Sequence, residues 1–113
     1  MDKAVLATKY TFEFYDETTC EMTLAFIRLK MLASKNKALY DRCQKVMANG
    51  GKDEFDTLTV LYTAYVCANL DSDSLMTEDE FIEKCGCDRQ ALMDALKALT
   101  TPKKQKASAS PSN

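Results

Sequence analysis

Aromatic and polar residues alternate over residues 9–15, with Tyr10, Phe12 and Phe14 on one face and Thr11 and Glu13 on the other. Aromatics at period two predict a half-buried strand. Residues 4–8 are the candidate partner strand, although no turn signal separates the two. Beyond residue 15 the period lengthens to that of a helix. Asp16 or Thr18 caps a predicted helix over about residues 17–34, and Thr18 and Glu21 stand at capping-box spacing. This helix carries two apolar stripes. Cys20, Leu24, Ile27 and Met31 form one; Met22, Ala25, Phe26, Leu29 and Ala33 form another on roughly the opposite side. Glu21, Arg28 and Lys35 line one seam between them, and Thr23, Lys30 and Ser34 the other. A helix with two apolar stripes has to cover both. Either it is sandwiched inside its own domain, or it keeps one stripe in the core and offers Met22, Phe26, Leu29 and Ala33 to a partner or a second copy.

Four further helices follow. Leu39, Tyr40, Cys43, Val46 and Met47 make one stripe on a helix predicted over residues 37–48, closed by Asn49-Gly50-Gly51. Residues 53–70 predict a third helix that holds no charge from Thr57 to Asn69. Such a helix belongs in the middle of a core. Thr77 then opens a short helix as its cap, with Glu80 as the reciprocal residue and Met76 and Phe81 as a hydrophobic staple. It ends near Cys85-Gly86-Cys87. Asp88 caps the last helix, whose predicted buried stripe is Leu92, Met93, Leu96 and Leu99, and Pro102 stops it. The reading is mainly α: one domain over residues 1–101, about five helices with a short N-terminal β strand or hairpin, then a disordered basic tail over residues 102–113.

Composition narrows the function. At 113 residues, with 28% charged and 46% hydrophobic residues, the chain has an ordinary globular balance. No apolar run approaches the length of a membrane span, and the opening residues are too short and weakly apolar for a signal peptide. A cytoplasmic protein is expected. Five cysteines, odd in number and scattered, three of them at apolar helical positions, suit reduced thiols better than a disulfide framework. The absence of histidine removes Ser-His and Cys-His pairs and imidazole metal ligands, and three glycines cannot build a phosphate loop. No carboxylate pair sits in an apolar setting, so no enzyme and no cofactor are expected. Net charge is −2 overall, yet Lys103, Lys104 and Lys106 give the tail +3 and leave the body at −5. An acidic body argues against nucleic acid, whereas the tail lysines Lys103, Lys104 and Lys106 are candidate contacts to an acidic partner, with a solubilising chain end as the plainer account of them.

Two motifs hint at metal chemistry and fall short of it. Residues 69–80 place oxygen side chains at positions 1, 3, 5, 9 and 12 of an EF-hand-like loop. However, Ser74 stands where glycine is needed and Asn69 where aspartate opens the loop. An acidic turn feeding a capped helix accounts for the same residues. Cys85-Gly86-Cys87 is a C-x-C, which reads as a turn between helices and not as a zinc or redox motif. Met31, Met47 and Met93 are read as core filling, while Met22 lies on the second stripe of the first predicted helix.

The order of these parts resembles the tail assembly chaperones of long-tailed bacteriophages. The resemblance rests on Tyr10-Thr11-Phe12-Glu13-Phe14, on the apolar helix from Leu58 to Tyr65, and on the break Asn69-Leu70-Asp71 before Thr77-Glu78-Asp79-Glu80-Phe81. The closing helix from Ala91 to Leu96 and the basic tail complete it, so that residues 9–106 are covered. It implies a non-catalytic protein of the infected host cytoplasm, absent from the mature virion. Such a protein would bind the long apolar tape-measure protein, keep it soluble, and help tail-tube subunits assemble around it. It also implies that a frameshift at the codons of Lys103-Lys104 could append a second domain, which a slippery run in the coding DNA would reveal. A small helical regulator or adaptor is the rival class, and a single-loop calcium binder a more distant one.

Overall fold

A single helix sets the arrangement of everything else. The structure, a computed structural model, describes residues 9–101. A two-stranded antiparallel hairpin, β1 (Lys9–Glu13) and β2 (Thr19–Thr23), is followed by α1 (Phe26–Lys35), α2 (Lys37–Ala48), α3 (Glu54–Ala68), α4 (Glu78–Cys85) and α5 (Arg89–Thr100). The protein is therefore mainly α with an N-terminal hairpin, as the patterning predicts. α3 packs against β2, α1, α2, α4 and α5, and ten of its fifteen residues are buried. Its long uncharged stretch makes this possible, because no side chain on it demands water. Its buried threonines return their hydroxyls to the helix itself: Thr59 donates to the Phe55 carbonyl at 3.1 Å and Thr63 to the Thr59 carbonyl at 2.7 Å.

The second strand corrects the expected helix start. Residues 19–23 belong to β2, paired as Tyr10↔Met22, Thr11↔Glu21 and Phe12↔Cys20, and the helix begins only at Phe26. Thr18, Thr19 and Thr23 lose rotamer freedom in a helix and suit a pleated strand. Cys20 and Met22 alternate inward against outward Thr19 and Glu21. The connecting turn is tight: the Glu17 N–H donates to the Phe14 carbonyl at 2.9 Å and the Phe14 N–H to the Thr18 carbonyl at 2.8 Å. Glu17 takes the left-handed backbone there, at φ 73°. Asp16 and Thr18 serve this turn and cap no helix. The Asp16 carboxylate accepts from the Thr18 N–H at 3.0 Å and its hydroxyl at 2.6 Å, which holds the Asp16 carboxyl below the usual carboxylate range. Glu21 accepts from the Thr11 hydroxyl across the strands at 2.9 Å, so the predicted capping box at residues 18–21 does not form. The candidate strand at residues 4–8 lies outside the described residues.

The remaining helices begin and end where their caps dictate. Asn36, Asp53 and Asp88 each accept a backbone N–H in the first turn, and Thr77 and Glu80 form the predicted capping box. Gly50 and Gly51 take positive φ after α2. Gly86 turns the chain between α4 and α5 at φ 66°, where a Cβ would stand 2.9 Å from the Tyr15 ring. Phe81, fully buried, is the hub of an aromatic cluster with Phe14, Tyr62 and Tyr65 at centroid distances of 5.5–5.7 Å. Both tyrosines clamp the loop before α4: Tyr62 donates to the Met76 carbonyl and the Met76 N–H donates to the Tyr65 oxygen, each at 2.8 Å. α5 departs from its predicted stripe. Leu92 and Ala95 are buried, Leu96 and Leu99 half-buried, and Met93 exposed.

Candidate protein-binding surface

α1 is short, and its two sides differ sharply. Leu32 faces the core and Leu29 packs against it. On the other side Phe26 is 90% exposed, Ile27 63% and Met31 36%. At 3.6 residues per turn, Ile27 and Met31 stack at i, i+4, Phe26 and Lys30 do the same, and the four cover one sector of the helix. Among the described residues the structure exposes seven large hydrophobic side chains, and three of them fall within residues 26–31. Scattered apolar residues need no explanation, whereas a contiguous group suggests a partner.

The local sequence explains why these residues lie at a helix start. Ala25 occupies the N-cap and supplies no side-chain hydrogen bond, and the first turn holds no acid. The Thr23 hydroxyl accepts the Ala25 N–H at 3.1 Å, which turns the chain out of β2. A surface helix normally opens on a polar cap and acidic residues. This one opens on phenylalanine and isoleucine. Lys30 lies within this sector, between Phe26 and Ile27, and Lys35 borders it beside Met31; neither takes part in an ion pair among the described residues.

Of the residues expected to meet a partner, the structure brings only some together. Phe26 lies in the exposed group. Met22 is corrected: it points inward from β2 and is fully buried, because the hairpin, not a helix, sets its direction. Leu29 is half-buried and packs against the core, and Ala33 is half-buried beside Phe26. Ile27 and Met31, assigned to the opposite stripe, replace them, since residues 20–25 contribute nothing to this helical wheel. The methionine assignments are likewise corrected, with Met31, Met47 and Met93 exposed instead of filling the core. Lys103, Lys104 and Lys106 lie outside the described residues. The missing capping residue before Phe26 is a sequence signal that marks the patch.

The polar motifs are committed to structure. The Asn69 side-chain amide donates to the carbonyls of Tyr65 at 2.8 Å and Glu21 at 3.3 Å, tying the end of α3 to β2. The Glu80 carboxylate accepts the Thr77 N–H at 2.8 Å. Among the described residues no group of three or more His, Cys, Asp or Glu side chains is placed to hold a metal ion. No helix among them is long and apolar enough to cross a membrane. All five thiols are free; Cys43, Cys67 and Cys85 are buried and Cys87 is exposed. Burial pushes the Cys20 and Cys67 thiols up to about 12 and Cys85 up to about 11, so these sulfurs stay protonated and unreactive near neutrality. No protein-family model, no curated protein and no solved structure matches the chain.

Proposed function

We propose that this protein is a non-catalytic assembly chaperone of the bacteriophage-tail type, which holds an apolar tape-measure protein soluble while tail-tube subunits assemble around it. The observation that carries the reading is the exposed group Phe26, Ile27 and Met31 on α1. A chaperone for a long apolar client needs hydrophobic surface that tolerates many side-chain shapes, and a flexible methionine beside two stiffer anchors supplies it. Lys30 within the group and Lys35 at its border would meet the acidic positions of an amphipathic client helix. The order of elements in the sequence supports the same class. The work would be done in the host cytoplasm, with the chaperone leaving before the virion is complete, and it needs no cofactor.

Co-expression with a tape-measure fragment tests this directly. The wild-type chain should keep the fragment in the soluble fraction, and Phe26→Ser combined with Ile27→Ser should lose that effect. Both side chains are exposed, so the double variant should melt within about 0.5 kcal/mol per site of wild type. A client that precipitates equally with the wild-type protein would sink the reading in favour of a helical adaptor.

A further inference from the structure

Among the described residues, the hairpin has an edge that no other element pairs with. Because the Phe14 N–H reaches the Thr18 carbonyl, the even-numbered residues of β1 turn their backbone toward β2 and the odd-numbered ones turn away. Tyr15 follows this rule, its N–H donating outward to the Lys84 carbonyl at 3.4 Å. The outward backbone groups of Thr11 and Glu13 meet no partner outside the ladder among the described residues. They border a groove of about 390 Å³, walled by residues 10–15 on one side and by Asp88, Ala91 and Asp94 of the α5 region on the other. Glu13, Asp88 and Asp94 make this groove acidic, and all three are exposed. The hydrogen bonds of Asp88 to the Ala91 N–H and of Asp94 to Gln90 orient the two carboxylates without neutralising them. Lys84, at the turn end, is occupied by Asp16 and the Thr18 hydroxyl.

We infer that this groove accepts an extended segment of a separate polypeptide carrying lysine or arginine at alternate positions, which adds to β1 as a third strand. An open strand edge supplies main-chain hydrogen bonds, and alternate side chains give the selectivity. Asp88 and Asp94 stand about 9 Å apart along their helix, a span that long basic side chains two residues apart on a strand can bridge. The site is separate from the α1 surface and does not rest on the client proposed for it.

The test uses the full chain and an alternating lysine–valine heptapeptide at low salt. Binding should shift the Thr11 and Glu13 amide resonances and slow their hydrogen exchange. Asp88→Asn with Asp94→Asn keeps both local hydrogen bonds and should weaken the peptide by about tenfold. N-methylating one edge of the peptide should abolish binding, while methylating the other should not. Phe26→Ser with Ile27→Ser should leave it unchanged, which separates this site from the α1 reading. Equal binding of a glutamate–valine peptide, equal binding of both N-methylated isomers, or no binding at about 1 mM would overturn the proposal. So would movement of the Thr11 and Glu13 resonances on Lys103→Glu, Lys104→Glu and Lys106→Glu without peptide, since the chain's own basic segment would then be the occupant.

Discussion

Glu17 holds a left-handed backbone at φ 73°, the only described non-glycine residue to do so. The position closes a three-residue hairpin loop, where glycine is the usual occupant because a Cβ crowds the following carbonyl. Glu17→Gly should therefore stabilise the protein by about 0.5–1 kcal/mol, once the extra freedom that glycine gives the unfolded chain is deducted. Urea unfolding reads this as a higher midpoint at unchanged slope; a lower midpoint would mean that Glu17 makes a contact worth more than its strain. The same residue explains why the hairpin is hard to read in the sequence. Its turn contains no Gly, Asn-Gly or Asp-Gly, so Asp16-Glu17-Thr18 looks like the acidic opening of a helix. Phe81 is the opposite case, a buried hub whose environment leaves no alternative. Phe81→Ala should cost about 3–5 kcal/mol, enough to abolish the cooperative thermal transition of a small domain.

At the scale of elements, legibility follows the strength of local chemistry. The bounds of α2 coincide with its predicted range, because a continuous apolar stripe meets Asn36 at one end and two glycines at the other. α4 is announced by Thr77 and Glu80 and forms the box they imply. Thr77→Ala removes the hydroxyl that accepts the Glu80 N–H while keeping the backbone N–H that Glu80 accepts, and should cost about 1 kcal/mol, whereas Thr77→Ser should cost a fraction of that. Thermal melts of the two variants check the difference, and equal melting would assign the start of α4 to the burial of Phe81 alone. The region from residue 17 to residue 25 is where local pattern misleads. Cys20, Met22, Leu24 and Ala25 are apolar at spacings compatible with a helix, but Met22 and Cys20 are also two residues apart, and a short apolar run fits either period. Pairing with the aromatic strand decides it, and that contact is tertiary. The candidate surface inherits the error: with residues 19–23 in a strand, Met22 enters the core and the outward sector of α1 passes to Ile27 and Met31 beside Phe26.

For the molecule as a whole, the thiols turn packing into a dependence on pH. In the unfolded chain cysteine ionises near its ordinary value of about 8.5. In the folded protein burial raises Cys20 and Cys67 to about 12 and Cys85 to about 11. Above the unfolded value the unfolded state sheds protons that the folded state keeps, so stability declines as pH rises. The contribution of these thiols is fully present below about pH 8.5 and is lost progressively toward pH 11–12. Burial also raises Tyr62, which acts in the same direction at the upper end of that window. With respect to thiol ionisation the melting temperature should stay flat from pH 6 to 8 and fall steadily above about pH 9. Cys67→Ala should start lower, through a small cavity, and lose less on going alkaline. Thiol labelling at pH 8 supplies an independent check. Exposed Cys87 should react first, and Cys43, Cys67 and Cys85 only at the rate at which the core around α3 opens, because a sulfur that is both protonated and enclosed offers neither a nucleophile nor a path.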